Sequence, residues 1–281
     1  MRSVSAIKHL PKQIKTLRSF AGALNPFASK TKVIPAQPFK LNEALVRDFI
    51  LWSGGNPEDW GPYVPPTLFP FWTMPSLVRC IQGRGMRLTK LLNGGCTIHY
   101  SDKIPTNIEL KLHTHFDRIE TADRYDLIHL HSETHTPSGQ CVLESKVRFL
   151  LPKPREQRTN KTTAPLRPPE ETKLASLSST ANDGFTFACL TGDFNPIHWL
   201  RPAARLSGFK SCIQHGFGTL SKAYEHLLSH GLLSRSHGTL SANFTRPVPL
   251  PSDASLFVEG NQISVWVDEK SVPSLKGHFS S

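Results

Sequence analysis

Four β-rich runs, at residues 96–101, 108–119, 125–135 and 141–151, follow one another with only turn signals between them. The breaks carry Pro105, the residues 121–123 and Pro137-Ser138-Gly139. Within the runs polar and apolar residues alternate, as in Leu110-Lys111-Leu112-His113. Consecutive hairpins with alternating faces predict an antiparallel sheet with one dry and one wet side. Ahead of them, Ala44, Leu45, Phe49 and Trp52 predict a helix over 41–52. Pro75 suits the first turn of a second helix over 75–81, with Gly83 and Gly85 as its stop. Gly83-Arg84-Gly85 and Gly94-Gly95 follow no strand in the way a dinucleotide site requires, and are read as turns.

The second half repeats this plan. A short helix is expected over 182–190 and a longer one over 216–230, where Leu220, Ala223, Tyr224, Leu227 and Leu228 fall at core spacing and Gly231 suits the end. Strands are expected at 239–244, 254–259, 262–267 and near Leu275, with Pro247, Pro249 and Pro251 breaking the run between the first two. Between the halves, 152–173 is rich in proline and charge (Pro152-Lys153-Pro154, Arg167-Pro168-Pro169-Glu170) and reads as a linker. The expected organisation is α+β: a basic arm over 1–40, a first unit over 41–151, the linker over 152–173 and a second unit over 174–281.

Residues 1–40 hold no acid and eight basic residues: Arg2, Lys8, Lys12, Lys15, Arg18, Lys30, Lys32 and Lys40. Leu10, Ile14 and Leu17 recur at helical spacing. A solvated arm lying on the protein body is the favoured reading; peripheral contact with a membrane surface, or a transit peptide, is the other. The chain has a net charge of +11, but its basic residues are spread along it and no nucleic-acid recognition motif appears. No nucleic-acid partner is expected. Coenzyme A phosphates or an acidic carrier protein suit the charge equally well. Five cysteines, none in a Cys-x-x-Cys pair, predict free thiols in a reducing compartment, the cytoplasm. No apolar run approaches the roughly 18 residues of a membrane span. His113 with His115, and His129 with His131, share faces of their strands, and His135 follows. They read as a solvated sheet face, and no metal is expected.

The chemistry concentrates in Gly192-Asp193-Phe194-Asn195-Pro196-Ile197-His198 and in Gln214-His215-Gly216-Phe217-Gly218. On a continuous helix Asp193 and His198 would face about 140° apart. Pro196 argues for a loop instead, since it drives Asn195 out of the helical region. In such a loop Asp193, Asn195 and His198 can face one cleft. A carboxylate and an imidazole can deprotonate a water that an amide helps to hold. Gly216 opens the longer helix, whose first N–H groups are unpaired and whose end is positive. Without a side chain there, a substrate oxygen can approach the N–H closely. One such donor can contribute roughly 3–4 kcal/mol to an enolate-like transition state.

The run from Phe187 through Ala188, Cys189, Leu190 and Thr191 to His198 resembles the signature of MaoC-like (R)-specific enoyl-CoA hydratases. The match continues through Leu206-Ser207-Gly208 to His215-Gly216, and in Ala242-Asn243-Phe244-Thr245-Arg246-Pro247-Val248. The resemblance covers roughly the last 100 residues and implies a double hot-dog fold: two curled antiparallel sheets, each wrapping a central helix. It implies that Asp193 and His198 activate water, that Asn195 positions it and that the Gly216 N–H binds the thioester oxygen. Gly192, His215, Phe217 and Gly218 are expected to border the substrate, and Phe71 and Trp72 to line its tail pocket. The implied activity is reversible syn hydration of trans-2-enoyl thioesters in fatty-acid metabolism, with no cofactor beyond the coenzyme A or phosphopantetheine of the substrate. Two alternatives stay open: a dehydratase acting on carrier-protein substrates, and a non-catalytic acyl-thioester-binding protein. A homodimer is compatible with the reading. One departure is Trp199-Leu200-Arg201-Pro202, where the family usually has an acid near position 201.

Overall fold

The computed structural model describes residues 6–13, 33–81, 84, 86, 91–153, 172–267 and 272–281. Its frame is one antiparallel sheet. The strands are β1 (Val33–Lys40), β3 (Leu92–Tyr100), β5 (Glu109–Thr121), β6 (Tyr125–His135), β7 (Cys141–Pro152), β8 (Thr172–Ser179), β9 (Gly238–Phe244), β10 (Ser252–Glu259), β11 (Gln262–Trp266) and β12 (Leu275–Ser280). Their order across the sheet is β1-β5-β6-β7-β3-β9-β12-β11-β10-β8. Two short strands, β2 (Tyr63–Val64) and β4 (Ile104–Pro105), pair separately.

That order contains a repeat. In each half the first strand lies at the outer edge, the third, fourth and fifth follow inward, and the second lies innermost. The innermost strands β3 and β9 pair from Gly95↔Asn243 to Tyr100↔Gly238. Each would otherwise present unpaired N–H and C=O groups along an edge. The two sheets expected from the sequence are therefore one sheet of ten strands.

The alternation read in the sequence decides which face is dry. On β5, Leu110, Leu112, Thr114 and Phe116 are buried, while Lys111 and His113 are exposed and His115 half-buried. On β6, Ile128, Leu130, Ser132 and Thr134 are buried, and the histidines between them lie on the other face. The hydroxyls turned inward are paired: Thr114 with Ser132 at 3.1 Å, and Thr134 as acceptor from the Trp72 indole at 3.0 Å. Of the outward histidines, His131 meets Glu144 of the neighbouring β7 at 2.8 Å, and His135 meets Glu133 of its own strand at 3.7 Å. Such exposed or half-exposed pairs contribute little to stability.

The helices are α1 (Glu43–Ser53), α2 (Pro70–Ile81), α3 (Asp183–Thr191), α4 (Arg201–Leu206) and α5 (Gly216–Ser229). α1 starts under an Asn42 cap and stops at Gly54, whose φ is 94°. α2 begins five residues before the expected start, so Pro75 lies inside it. The apolar 68–72 run that precedes Pro75 is core, and its burial carries the helix back to Pro70. The expected stop at Gly83 and Gly85 lies outside the described residues.

α5 is buried on almost every side, its polar Ser221, Lys222 and Glu225 included. Lys222 reaches the Asp183 carboxylate at 2.5 Å and the Ser178 carbonyl at 2.7 Å, which ties α5 to α3 and β8. Two parts of the expected basic arm lie among the described residues. Val33–Lys40 is the edge strand β1, and Ala6–Gln13 is a 3-10 helix with His9 and Gln13 buried. His9 meets Asp48 at 2.6 Å, and Gln13 donates to the Cys189 carbonyl of α3. Of the linker, 154–171 lie outside the described residues, and Thr172 and Lys173 already belong to β8.

Candidate active site

α3 ends at Gly192, whose φ of 84° suits glycine and whose N–H bonds Ala188 O at 2.7 Å. The chain then folds back through two side-chain turns. Asp193 Oδ1 accepts the Asn195 N–H at 3.3 Å, and Asn195 Oδ1 accepts the Ile197 N–H at 3.4 Å. Pro196 opens a single 3-10 turn, Pro196–His198. Gly184 makes room for this loop: a Cβ there would lie 1.8 Å from the His198 carbonyl oxygen.

His198 is 9% exposed. Its Nδ1 lies 2.8 Å from the Ile213 carbonyl. A carbonyl only accepts, so Nδ1 carries the proton and a neutral ring keeps its lone pair on Nε2. His215 is oriented in the same way. Its Nε2–H donates to the backbone carbonyl of Asp193 at 3.0 Å, and its ring stacks on His198 with centroids 3.6 Å apart. Phe187 of α3 backs the pair, 4.6 Å from His215.

Burial drives every ionisable group here toward its neutral form. It raises the Asp193 carboxyl, opposed by the nearby His198 and the Asn195 N–H. It lowers His198, opposed by Asp193 and the Ile213 carbonyl. It lowers His215 further still, and a charge on His198 would add to the effect. The resulting constellation is a neutral imidazole beside a carboxyl that holds its proton more readily than usual.

His215 also caps α5, without a side-chain hydrogen bond. The first helical bond of α5 runs from the Thr219 N–H to His215 O, which leaves the N–H groups of residues 216–218 without partners inside the helix. Gly216 has a packing reason to lack a side chain: a Cβ would lie 2.5 Å from the ring of Phe244 on β9. Close approach by a substrate oxygen, the reason drawn from sequence, is therefore not needed to explain the glycine.

These residues border a cavity of about 450 Å³. Asp193, Asn195, His198, His215 and Gly216 line it, although His215 is only 1% exposed. Gly192, Phe217 and Gly218 do not. Gly192 is a helix stop, Phe217 packs edge-on against Phe69 and Phe244, and a Cβ on Gly218 would crowd Trp52 and Gln214. Phe71 and Trp72 also lie off the cavity, and Trp72 instead stacks on Phe39. The wall contributed by α2 is Met74, Val78 and Ile81, one stripe at helical spacing. Phe71 and Trp72, expected from the sequence to line the tail pocket, precede the 75–81 helix expected there, whereas the lining stripe runs along α2 itself. Leu92, Phe149 and Leu150 extend that wall from β3 and β7.

Asp193, His198 and His215 are the group among the described residues whose donor atoms come close enough to share an ion, within 4.8 Å of one another. The two rings do not fit one. They lie 27° from parallel at 3.6 Å, so their in-plane lone pairs cannot converge on a point at bonding distance.

The chain has the α+β double hot-dog fold. A Mycobacterium tuberculosis protein, Rv0216, described as having a double hot-dog fold, superposes with a TM-score of 0.59 at 15% identity, covering 89% of this chain and 95% of that one. Residues 155–279 match the family model of the MaoC like domain. The crystal structure of HtdX from M. tuberculosis aligns with a TM-score of 0.72 at 20% identity, over 87% of this chain and 98% of that one. In sequence, the chain is 26% identical over 268 residues to 3-hydroxyacyl-thioester dehydratase X of that organism, covering 92% of this chain and 90% of the relative.

Proposed function

We propose that the chain is a hydro-lyase: a 3-hydroxyacyl-thioester dehydratase that also adds water across trans-2-enoyl thioesters. The observation that carries this reading is one cavity lined by Asp193, Asn195 and His198 together with Gly216, the first residue of α5. The thioester carbonyl takes the Gly216 N–H, which polarises the enoyl system and makes its β carbon electrophilic. Asn195, whose Oδ1 is used by the turn, offers its Nδ2 hydrogens to the water. The lone pair of His198 Nε2 and the Asp193 carboxyl take a proton from that water and return one to the α carbon. In the reverse direction they remove the α proton and protonate the departing hydroxyl. The (R) configuration and syn course rest on the family resemblance.

In this reading the expected first unit, 41–151, together with β1 lacks catalytic residues, the expected second unit, 174–281, together with the start of β8 carries the chemistry, and the proline-rich stretch connects them, each half curling around its central helix. Coenzyme A thioesters are the first substrates to test, with carrier-bound thioesters beside them. A cytoplasmic setting suits the five free cysteines. Among the described residues no helix is long and apolar enough to cross a membrane.

The test is hydration of crotonyl-CoA and longer enoyl-CoA esters, followed by loss of the conjugated absorbance. Asp193→Ala should reduce kcat by at least about 10² with the fold retained by circular dichroism. Wild-type protein that binds acyl-CoA but hydrates no enoyl thioester would sink the reading.

A further inference from the structure

The rim of the cavity carries an unbalanced positive charge beside exposed apolar side chains. Between Asp193 and Glu225 the sequence has no acid. Three of the large hydrophobic residues left exposed fall close together here: Trp199 at 37%, Leu200 at 43% and Leu206 at 91%. Arg201, Arg205 and Lys210 are interleaved with them, all exposed, and Arg246 stands exposed on the cavity lining itself. Among the described residues none of these four cations forms an ion pair, whereas Arg47, Arg118, Lys146 and Arg235 elsewhere on the chain each meet a carboxylate. The segment is anchored to the cavity at both ends. The Trp199 indole donates to the carbonyl of Phe194, which lines the cavity, and Ala204 of α4 packs with Phe209, which lines it too. Position 201 is also where this chain departs from the acid usual in the family.

We infer that α4 and its flanks form a docking surface for an acidic acyl-carrier protein, which presents the thioester on its phosphopantetheine arm at the adjoining mouth. This rests on the dehydratase reading and narrows its substrate class. Charge complementarity selects the partner. Free coenzyme A would use one or two cations at the mouth, and has no use for the exposed Leu200 and Leu206 at the two ends of α4. An acidic protein with an apolar contact strip engages both, and rim charges of this kind mainly raise the association rate. A membrane would meet the same side chains but would bring no thioester to the cavity.

The experiment compares the full chain with Arg201→Glu/Arg205→Glu and with Leu206→Asp. Each is assayed on crotonyl-CoA and on a crotonyl group carried by an acidic holo acyl-carrier protein. Both variants should lose about 10-fold or more in kcat/KM on the carrier substrate, the charge variant less so at high salt, and stay within about 2-fold of wild type on crotonyl-CoA. Equal losses on both substrates, no loss on either, or a wild type inert toward the carrier substrate would overturn the inference. So would charge-dependent sedimentation of the wild type with phosphatidylglycerol vesicles combined with an unchanged carrier rate. Wild type that fails on crotonyl-CoA and on the carrier alike would instead remove the dehydratase reading beneath it.

Discussion

His215 holds two things at once. It fastens the Asp193 backbone through Nε2–H and lies flat on His198, while its own backbone begins α5. It therefore keys the loop with the acid and base to the helix with the N–H donors. Its burial leaves no surface for substrate, so its effect is on position. His215→Gln keeps a donor near the Nε2 site and should lose less than about 10-fold in kcat, whereas His215→Phe keeps a ring but no donor and should lose about 10². KM should move little in either variant; equal kcat in the two would argue against the donor. A second residue acts on stability alone. Glu225 is 5% exposed, and burial raises its carboxyl from 4.5 to about 7. The folded protein thus keeps a proton that the unfolded chain releases near its ordinary value. Stability from this group is full below about pH 4.5 and is lost as pH rises through about 7, by roughly 3 kcal/mol. Glu225→Gln should raise Tm more at about pH 8 than at about pH 5, and equal shifts at the two would contradict the burial argument.

At the level of elements, glycines mark the closest contacts. α3 runs under the loop of residues 193–198 only because Gly184 lacks a Cβ, and Gly184→Ala should lose both stability and at least about 10-fold in activity. α5 meets β9 at Gly216 and Phe244. Gly216→Ala should depress kcat by pushing the helix start off Phe244, and a paired Phe244→Leu should recover part of it. Failure of any recovery would favour close substrate approach as the reason for the glycine. Much at this level was legible beforehand. Strong alternation placed β6 at its full length and β5 and β7 to within two residues, and the core stripe of Leu220, Ala223, Tyr224 and Leu227 placed α5. What was missed had weak local signals. β1 is broken by Pro35 and Pro38, β8 follows directly on the proline-rich stretch, and α4 is six residues whose one buried side chain is Ala204. Tertiary pairing, not local pattern, makes strands of the first two.

For the molecule as a whole, the sequence showed that there are two similar halves but not that they share a sheet, since register between β3 and β9 depends on residues about 140 positions apart that carry no mutual mark. The loop with Asp193, Asn195 and His198 was legible because it is local; the cavity was not, because its far wall comes from the other half. Residues 172–281 made alone should therefore be insoluble or expanded by size exclusion, having lost both the partner of β9 and the cover of the cavity. A compact, monomeric fragment would refute this. The wall on α2 has a further consequence. On the proposed reading the groups that handle a proton, Asp193 and His198, lie in one short loop, whereas Met74, Val78 and Ile81 of the other half would only set how much room the acyl tail finds. Diet and digestion are encoded in different stretches of the gene, so a single exchange on that stripe can retarget the protein to shorter or longer chains while the turnover machinery stays untouched.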